Sequence, residues 1–219
     1  MMNLKYLFCI LKNPSWIPSM RLTRFFNNKN GIVIGGHLRW FFKSLLCTPR
    51  KIINVDNCQA DNVDYVTDAA NLHFAADETM DFVCSSHVLE HLANPLKAIA
   101  EWKRVIKKGG IIYAGVPDKR HTFDSKRNRT PLSHLIEDFE KNTEQTDKTH
   151  VSEFLENFYE SDICKKNTEL RKNSINLESN VHHHVWVLDD VKEIFEYMDL
   201  KIIYGPFLRH DTIHIIGQK

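Results

Sequence analysis

Residues 81–117 read DFVCSS-HVLEHLA-NPLKAIAEWKRVIKK-GGIIYAGVP, and this stretch decides the fold. A short apolar run at 81–86 is followed by a helical stretch and then by a second apolar run at 110–116. Short β-branched runs without regular polar alternation are typical of strands that are buried on both faces. The stretch therefore predicts two parallel strands that are joined by a right-handed helical crossover.

The helix of this unit has recognisable ends. Asn94 is a candidate N-cap, Pro95 occupies the first helical position, and Gly109 is a candidate C′ residue. Apolar residues spaced for one helix face are Leu96, Ile99, Trp102, Val105 and Ile106. We therefore expect an amphipathic helix that ends just before Gly109.

The same pattern extends towards the N-terminus. Apolar runs at 31–36, 51–56 and 63–66 predict three earlier strands of a parallel sheet. The first run ends in two glycines, the second ends in Asp56, and the third is followed by Asp68.

The pattern resumes near the C-terminus. Residues 187–198 have the apolar spacing of a helix, and 200–204 and 212–216 predict two last strands with a turn at Gly205-Pro206 between them. The fold class that follows is α/β: a Rossmann-like sheet of seven strands, parallel except for one antiparallel C-terminal strand, with helices on both faces.

Residues 117–187 interrupt this pattern with a polar segment that contains two helical stretches, 131–141 and 150–164. Because a structureless loop of this length is improbable in a compact domain, we expect a helical insertion after strand five that acts as a substrate lid. Residues 1–219 then form a single domain, and residues 1–30 form a segment that covers its core.

Composition excludes several classes of protein. The chain has 219 residues, a formal net charge of +1 and 42% hydrophobic residues, which disfavours both a disordered chain and a dedicated nucleic-acid binder. Five widely spaced cysteines indicate no disulfide framework, so a cytoplasmic location is expected. No apolar stretch is long enough for a membrane span. Residues 4–26 mix basic and apolar types, which fits either a helix and loop that cover the core or an interfacial anchor.

Candidate ligand groups follow the predicted strands at the edge where open parallel sheets bind ligands. In chain order these groups are Gly35-Gly36, Asp56, Asp68, His87 and Asp118. Asp56 lies 21 residues after Gly35, which is close to the spacing at which an acid binds ribose hydroxyls in nucleotide sites. The ordered set predicts a nucleotide-type cofactor site.

Three motifs carry a resemblance to a known family. The stretches at 68–74 (DAANLHF), 86–92 (SHVLEHL) and 102–110 (WKRVIKKGG) resemble class I S-adenosylmethionine-dependent methyltransferases of the small-molecule subgroup. The segments 116–124 and 182–186 are similar to a narrower branch, many members of which act in polysaccharide and glycan biosynthesis.

The resemblance implies S-adenosylmethionine as the cofactor, S-adenosylhomocysteine as the product, and a set of cofactor-binding residues. These are Gly35, Gly36, Asp56, Asp68, Ala69, Leu72, Ser85, Ser86 and His87. The first glycine motif departs from the family pattern: Val33 stands at its acidic position, and His37 and Arg39 replace two glycines.

Candidate catalytic groups follow from the chemistry of methylating a hydroxyl, which benefits from a base near neutral pKa. The expected base is among His87, His183 and His184, and Asp118 or Asp124 would orient the acceptor. The expected substrate-binding residues are Arg120, Arg127, His121, His134 and Trp186. We expect no metal, since only His182 and His184 of the histidine triplet share a face and no third ligand is positioned by the sequence.

The function expected from these residues is O-methylation of a sugar hydroxyl on a glycan or nucleotide sugar. The partner is then a small molecule or carbohydrate, with no nucleic acid and no membrane span. Two alternatives remain: a non-catalytic binding module that retains the fold, and an NAD-dependent oxidoreductase. A nucleic-acid methyltransferase is disfavoured by the balanced charge.

Overall fold

A mixed sheet of seven strands forms the centre of the molecule in the computed structural model, which describes residues 24–35, 48–160 and 181–219. The strands are β1 Asn30–Ile34, β2 Lys51–Asp56, β3 Tyr65–Val66, β4 Met80–Ser86, β5 Ile106–Pro117, β6 Lys201–Arg209 and β7 Thr212–Gln218. Their order is β3-β2-β1-β4-β5-β7-β6, and β7 runs antiparallel to both of its neighbours. The predicted Rossmann-like fold class is confirmed.

Strand β1 lies at the point where the strand order reverses direction. It pairs in parallel with β2 on one side and with β4 on the other. In open α/β sheets, a crevice forms beyond the carboxyl ends of the strands at such a point. The topology therefore places the ends of β1, β2 and β4 around one crevice.

Four α-helices lie within the described residues: α1 Pro95–Val105, α2 Leu132–Glu140, α3 Val151–Glu160 and α4 Leu188–Tyr197. Asn94 caps α1 as predicted, since its side-chain oxygen accepts a hydrogen bond from the Lys97 amide at 3.0 Å. Leu96, Ile99 and Trp102 bury the apolar face of α1 in the core. None of the helices described is both long enough and apolar enough to cross a membrane.

The predicted end of the first helix was wrong. Helix α1 stops at Val105, and Ile106 already has extended backbone angles and begins β5. The Gly109 amide donates to the Lys219 carbonyl at 2.9 Å, so this glycine, at φ +75°, belongs to the strand edge and not to a helix cap. Pairing with the C-terminal strand supplies hydrogen bonds that another helical turn would lose.

The predicted turn at Gly205-Pro206 was also wrong. These two residues lie inside β6, where the pairing register with β7 shifts between Tyr204 and Phe207. The strand continues to Arg209, and the chain turns only at 210–211. An irregularity within an edge strand tolerates proline, because its missing N–H is not needed for the ladder. Of the predicted helix at 150–164, α3 accounts for 151–160, and the rest lies outside the described residues.

Two apolar clusters pack on the sheet. The larger one contains Trp102 of α1, Phe195 of α4 and the buried strand residues Ile32, Val83 and Ile112. The smaller one contains residues that alternate with these along the strands, such as Val33, Cys84 and Tyr113. The alternation shows that the central strands are buried on both faces, as their continuous apolar sequence predicts.

Candidate functional site

A cavity of about 510 Å³ lies beyond the carboxyl ends of β1, β2 and β4. Its walls include Ile34, Gly35, Asp56, Thr67, Asp68, Ala69, His87, His91 and Gln145. The volume falls within the range of about 300–1,000 Å³ that is usual for small-molecule sites. The sheet thus brings together five of the predicted cofactor-binding residues in one crevice.

Gly35 forms the bottom of the cavity at the end of β1. Its φ is +80°, and a Cβ at this position would lie 2.4 Å from Cγ2 of Val88, so a larger residue does not fit. Its amide donates to the Val55 carbonyl at 2.9 Å, which ties the turn to β2. The neighbouring Gly36, together with His37 and Arg39, lies outside the described residues.

Asp56 ends β2 and presents a carboxylate to the cavity. Its Oδ1 accepts hydrogen bonds from the Cys58 amide at 3.4 Å and from the Cys58 thiol at 3.5 Å. The thiol hydrogen bond and the negative charge of Asp56 raise the pKa of the Cys58 thiol. A carboxylate of this kind, half-exposed in a crevice, retains lone pairs for hydroxyl groups of a ligand.

Helix α1 fixes the loop that carries Asp68. Trp102 donates its indole N–H to the Ala69 carbonyl at 2.8 Å, and Glu101 accepts the Leu72 amide at 2.8 Å. Hydrogen bonds from Arg104 lower the pKa of Glu101, so this clamp is anionic at neutral pH. Leu72 itself is buried in the core, and it packs below the cavity rather than lining it.

His87 lies on the opposite wall, at φ +54°, directly after β4. Its Nε2 is 3.0 Å from the Thr212 hydroxyl, which itself donates to Asp211 at 3.0 Å. Because the threonine hydrogen points to Asp211, Thr212 accepts the hydrogen bond from Nε2–H. Nδ1 is then the basic nitrogen of the ring, and it lies 3.5 Å from Oε1 of Glu90.

Glu90 and His91 belong to the quoted SHVLEHL motif, but no local sequence signal predicts a role for either residue. The Glu90 side chain is 1% exposed, and burial raises its pKa to about 7. Burial lowers the pKa of His91 to about 4, and its Nδ1 is 3.1 Å from the Val181 carbonyl. A short 3₁₀ turn at Leu89–His91 directs both residues to the region between the cavity and the insertion.

Two predicted cofactor residues lie near the cavity without lining it. Ser85 is buried within β4, where it pairs with Ile34 and Ala114. Ser86 is the last residue of β4, and its hydroxyl lies next to Gly115 of the neighbouring strand.

The first pair of insertion residues is Asp118 and Arg120. Asp118 is completely buried, and the Arg120 guanidinium binds both of its carboxylate oxygens, at 2.9 and 2.6 Å. Although burial opposes ionisation of Asp118, these hydrogen bonds lower its pKa. The pair lies where residue 118 bridges to Trp186, so it closes the base of the insertion.

A second buried cluster joins Asp124, Arg127 and His182. Arg127 donates to Asp124 at 2.9 Å, to the His182 carbonyl at 2.8 Å and to the Glu153 carboxylate at 2.9 Å. His182 Nδ1 is 2.6 Å from the second oxygen of Asp124. Asp124 was predicted to orient the acceptor, and Arg127 was predicted to bind substrate. Both side chains instead bind partners within the insertion.

The remaining predicted residues of the insertion do not line the 510 Å³ cavity. His183, His184 and Trp186 are buried, whereas His121 is exposed. His134 and His183 border a second cavity of about 320 Å³, which the sequence did not predict. Gln145, also missed, joins the insertion to the larger cavity by donating to the His91 carbonyl at 2.7 Å.

Comparison with known proteins agrees with this geometry. Residues 47–114 match the protein family described as Methyltransferase domain. The fold is that of a class I methyltransferase. No significant match was found among curated proteins.

Three solved structures illustrate the similarity of the fold. A SAM-dependent methyltransferase from Aquifex aeolicus is 12% identical, with a TM-score of 0.53, and the alignment covers 99% of this chain and 98% of that one. A methyltransferase from Mesorhizobium loti is 11% identical over 94% and 98% of the two chains, with a TM-score of 0.56. A protein from Rhodobacter sphaeroides described as a putative Zn-dependent alcohol dehydrogenase is 12% identical over 91% and 88%, with a TM-score of 0.59.

At such identities the structural similarity shows the fold alone. The match to the methyltransferase domain extends from just before β2 into β5 and therefore contains Asp56, Asp68 and His87. Together the domain and the fold support methyl transfer with S-adenosylmethionine as the cofactor.

Proposed function

We propose that this protein transfers the methyl group of S-adenosylmethionine to a hydroxyl group of a small polar acceptor, with a sugar as the acceptor class. One observation carries the proposal. The cavity at the switch point of the sheet has carboxylates at the ends of two strands on one side and His87 on the other.

The residues of the cavity fit this cofactor. Asp56 offers acceptor oxygens for ribose hydroxyls, and Asp68 with the Ala69 backbone offers groups for an adenine. Gly35 lets the chain turn beneath the ligand without a side chain in the way. The clamp from Trp102 holds the Ala69 carbonyl, so the adenine-side loop is fixed before a ligand arrives.

His87 removes the proton of the acceptor hydroxyl. Bound S-adenosylmethionine supplies an electrophilic methyl group and leaves as a neutral sulfide, so the protein needs only to position the acceptor and remove a proton. Thr212 fixes the His87 tautomer and leaves Nδ1 to receive that proton. The Glu90 carboxylate, 3.5 Å from Nδ1, then stabilises the positive charge of the protonated ring.

The insertion is fastened to the rim of the cavity. Gln145 accepts the Ala93 amide at 3.0 Å and donates to the His91 carbonyl. The His87 side chain is 43% exposed, so bound cofactor and acceptor would have to exclude water from it and thereby strengthen its electrostatic contacts.

An uncharged sugar hydroxyl fits this cavity better than a phosphate-bearing acceptor. Asp124 and Glu153 already occupy the donors of Arg127, and Asp118 holds those of Arg120. Both arginines are engaged and neither lines the cavity, so neither guanidinium is available to a phosphate beside His87.

Calorimetry and isotope transfer test the proposal. S-adenosylmethionine and S-adenosylhomocysteine should bind, NAD should not, and labelled methyl should pass to one or more members of a panel of sugars and oligosaccharides. Binding of NAD without S-adenosylmethionine would favour the oxidoreductase alternative and exclude this one. Phosphorylated sugars tested as further acceptors in the same assay show whether labelled methyl passes to neutral or to charged sugars.

The non-catalytic alternative has one observation in its favour. Val33 stands where the family has an acid, and it is packed in the smaller apolar cluster. A cofactor-binding protein without activity would show S-adenosylmethionine binding in calorimetry and no labelled product with any acceptor.

A further inference from the structure

Three histidines and one aspartate of the insertion converge from separate parts of the chain. His134 and Asp138 lie one turn apart on α2, His150 directly precedes α3, and His184 lies in the extended segment 181–187. One nitrogen from each of the three imidazole rings lies within 4.8 Å of the other two. The group is separate from the cavity that holds Asp56 and His87.

We propose that His134, His150, His184 and Asp138 bind one Zn²⁺ ion. Tetrahedral zinc with ligand distances of about 2.0–2.2 Å places its donor atoms about 3.3 Å apart. Here Nε2 of His134 is 3.0 Å from Nε2 of His150 and 3.3 Å from Oδ2 of Asp138. The ring of His184 borders the same carboxylate, since its Nε2 lies 3.8 Å from Oδ2 of Asp138, and its other nitrogen, Nδ1, is the one that would bind the ion. Three imidazoles and a carboxylate are a donor set that suits zinc.

The Asp138 carboxylate is oriented towards the histidines. Its Oδ1 accepts a hydrogen bond from the Thr143 hydroxyl at 3.0 Å. Its Oδ2 is buried and accepts no hydrogen bond from any described residue. A buried carboxylate oxygen without a donor is costly, and a cation between Asp138 and the three rings would remove that cost.

His184, like Asp138, has a buried polar atom without a hydrogen-bond partner among the described residues. Its ring is fully buried, and Nε2 lies 3.2 Å from the Ala93 carbonyl. A ring that donates Nε2–H to a carbonyl has an unprotonated Nδ1, and Nδ1 of His184 is buried without a hydrogen-bond partner among the described residues. Metal-binding histidines commonly hold their second nitrogen in this way.

The charge around the site permits a cation. The guanidinium of Arg127, which borders the same cavity as His134 and His150, is neutralised by Asp124 and Glu153.

A four-ligand site of this kind is structural, because no position is left open for a substrate. It would fasten α2, the start of α3 and the segment 181–187 to one another, and so hold the insertion in place above the larger cavity. The inference does not depend on methyl transfer, since it concerns only how the insertion is held together.

Metal analysis of the whole, untagged protein tests the site directly. After exposure to Zn²⁺ and gel filtration, elemental analysis should give one zinc per chain. Co²⁺ added to chelator-treated protein should give the intense visible absorption of a tetrahedral complex. His150→Ala and Asp138→Asn should each reduce zinc affinity at least tenfold, whereas His73→Ala, at an exposed histidine far from the group in sequence, should retain one equivalent.

Thr143→Val provides a milder variant, because it removes only the hydroxyl that orients Asp138. It should keep the fold and weaken zinc binding about 10–100-fold. Folded wild-type protein with far less than one zinc per chain would overturn the proposal. It would also be overturned if His73→Ala lost zinc to the same extent as His150→Ala, or if folded Thr143→Val bound zinc as tightly as the wild type.

Discussion

The carboxyl edge of the sheet and the insertion use the same residue types for opposite purposes. At the sheet edge, Asp56 and His87 face a cavity of about 510 Å³. In the insertion, Asp124 and His182 are buried against each other and against Arg127. An acid or a histidine can serve a ligand only where the protein has not already provided its partner, and that depends on contacts far apart in sequence.

The largest effect is expected on turnover, and it should distinguish His87 at the sheet edge from His183 in the insertion. His87→Asn keeps a side chain that tolerates positive φ but removes the base, so turnover should fall by about 10²–10⁴ while cofactor affinity stays nearly constant. His183→Ala, in the insertion, should leave turnover within a few-fold because His183 does not line the cavity. Steady-state kinetics and calorimetry on both variants measure the contrast.

The reverse result would be equally informative. A large loss of turnover in His183→Ala with little loss in His87→Asn would move the base to the insertion. Small losses in both variants would mean that positioning of the acceptor alone drives the reaction.

The next prediction concerns stability in the insertion. Arg127→Ala leaves the buried Asp124 carboxylate without its guanidinium, so the free energy of unfolding should fall by about 3–5 kcal/mol. Lys141→Ala removes an exposed ion pair with Glu137 on the same insertion and should change stability very little. Urea unfolding of the two variants provides the comparison, and equal effects would show that Arg127 is not a structural centre.

The sequence was sufficient to predict the sheet edge because its signals are local. Asp56 follows a buried strand directly, and parallel strands bring their ends to one edge whatever the details of packing. The spacing from Gly35 to Asp56 and the motif around His87 were enough to locate the crevice. What the sequence could not show is the clamp on Ala69, because Trp102 reads only as a core residue of α1.

The insertion could not be resolved in the same way. Arg127 was expected to bind substrate because a basic loop beside a site resembles an anion-binding surface. Its partners Glu153 and the His182 carbonyl come from positions 26 and 55 residues away, and nothing in the local sequence indicates those contacts. The proximity of His134 and His150 to His184 was missed for the same reason, since these two histidines come from other elements.

The pH dependence of the free energy of unfolding tests whether a buried histidine of the sheet, His214, makes the fold less stable in acid. Burial lowers the pKa of His214 on β7 to about 4, well below its ordinary 6.5. The unfolded chain therefore takes up a proton below pH 6.5 that the folded chain refuses until about pH 4, and stability is lost as the pH falls through this window. The loss from this residue should amount to about 3 kcal/mol at most.

His214→Gln should reduce the loss of unfolding free energy between pH 6.5 and about pH 4. The glutamine also keeps a polar partner for the Tyr113 hydroxyl, which lies 2.8 Å from Nδ1 of His214 in the wild type. Unfolding free energies from pH 7 to pH 4 measure the slope. His121→Gln, at an exposed histidine of the insertion, serves as the control, and a flattening of equal size in that variant would contradict the assignment to the sheet.

The smallest effect expected lies at Asp56, and it tests whether the sheet edge binds its ligand as the spacing predicts. Charge-assisted hydrogen bonds from ribose hydroxyls to a carboxylate contribute roughly 1.5–3 kcal/mol each, so Asp56→Ala should weaken S-adenosylmethionine binding at least tenfold. The fold should survive, because within the described part of the chain the Asp56 side chain accepts hydrogen bonds only from Cys58, two residues away. Asp61→Ala, at an exposed aspartate in the loop that follows, is the matched control and should bind normally. Equal affinity in the Asp56 and Asp61 variants would show that the ribose is held elsewhere, and the strand-end spacing would then be a feature of the fold without a role in binding.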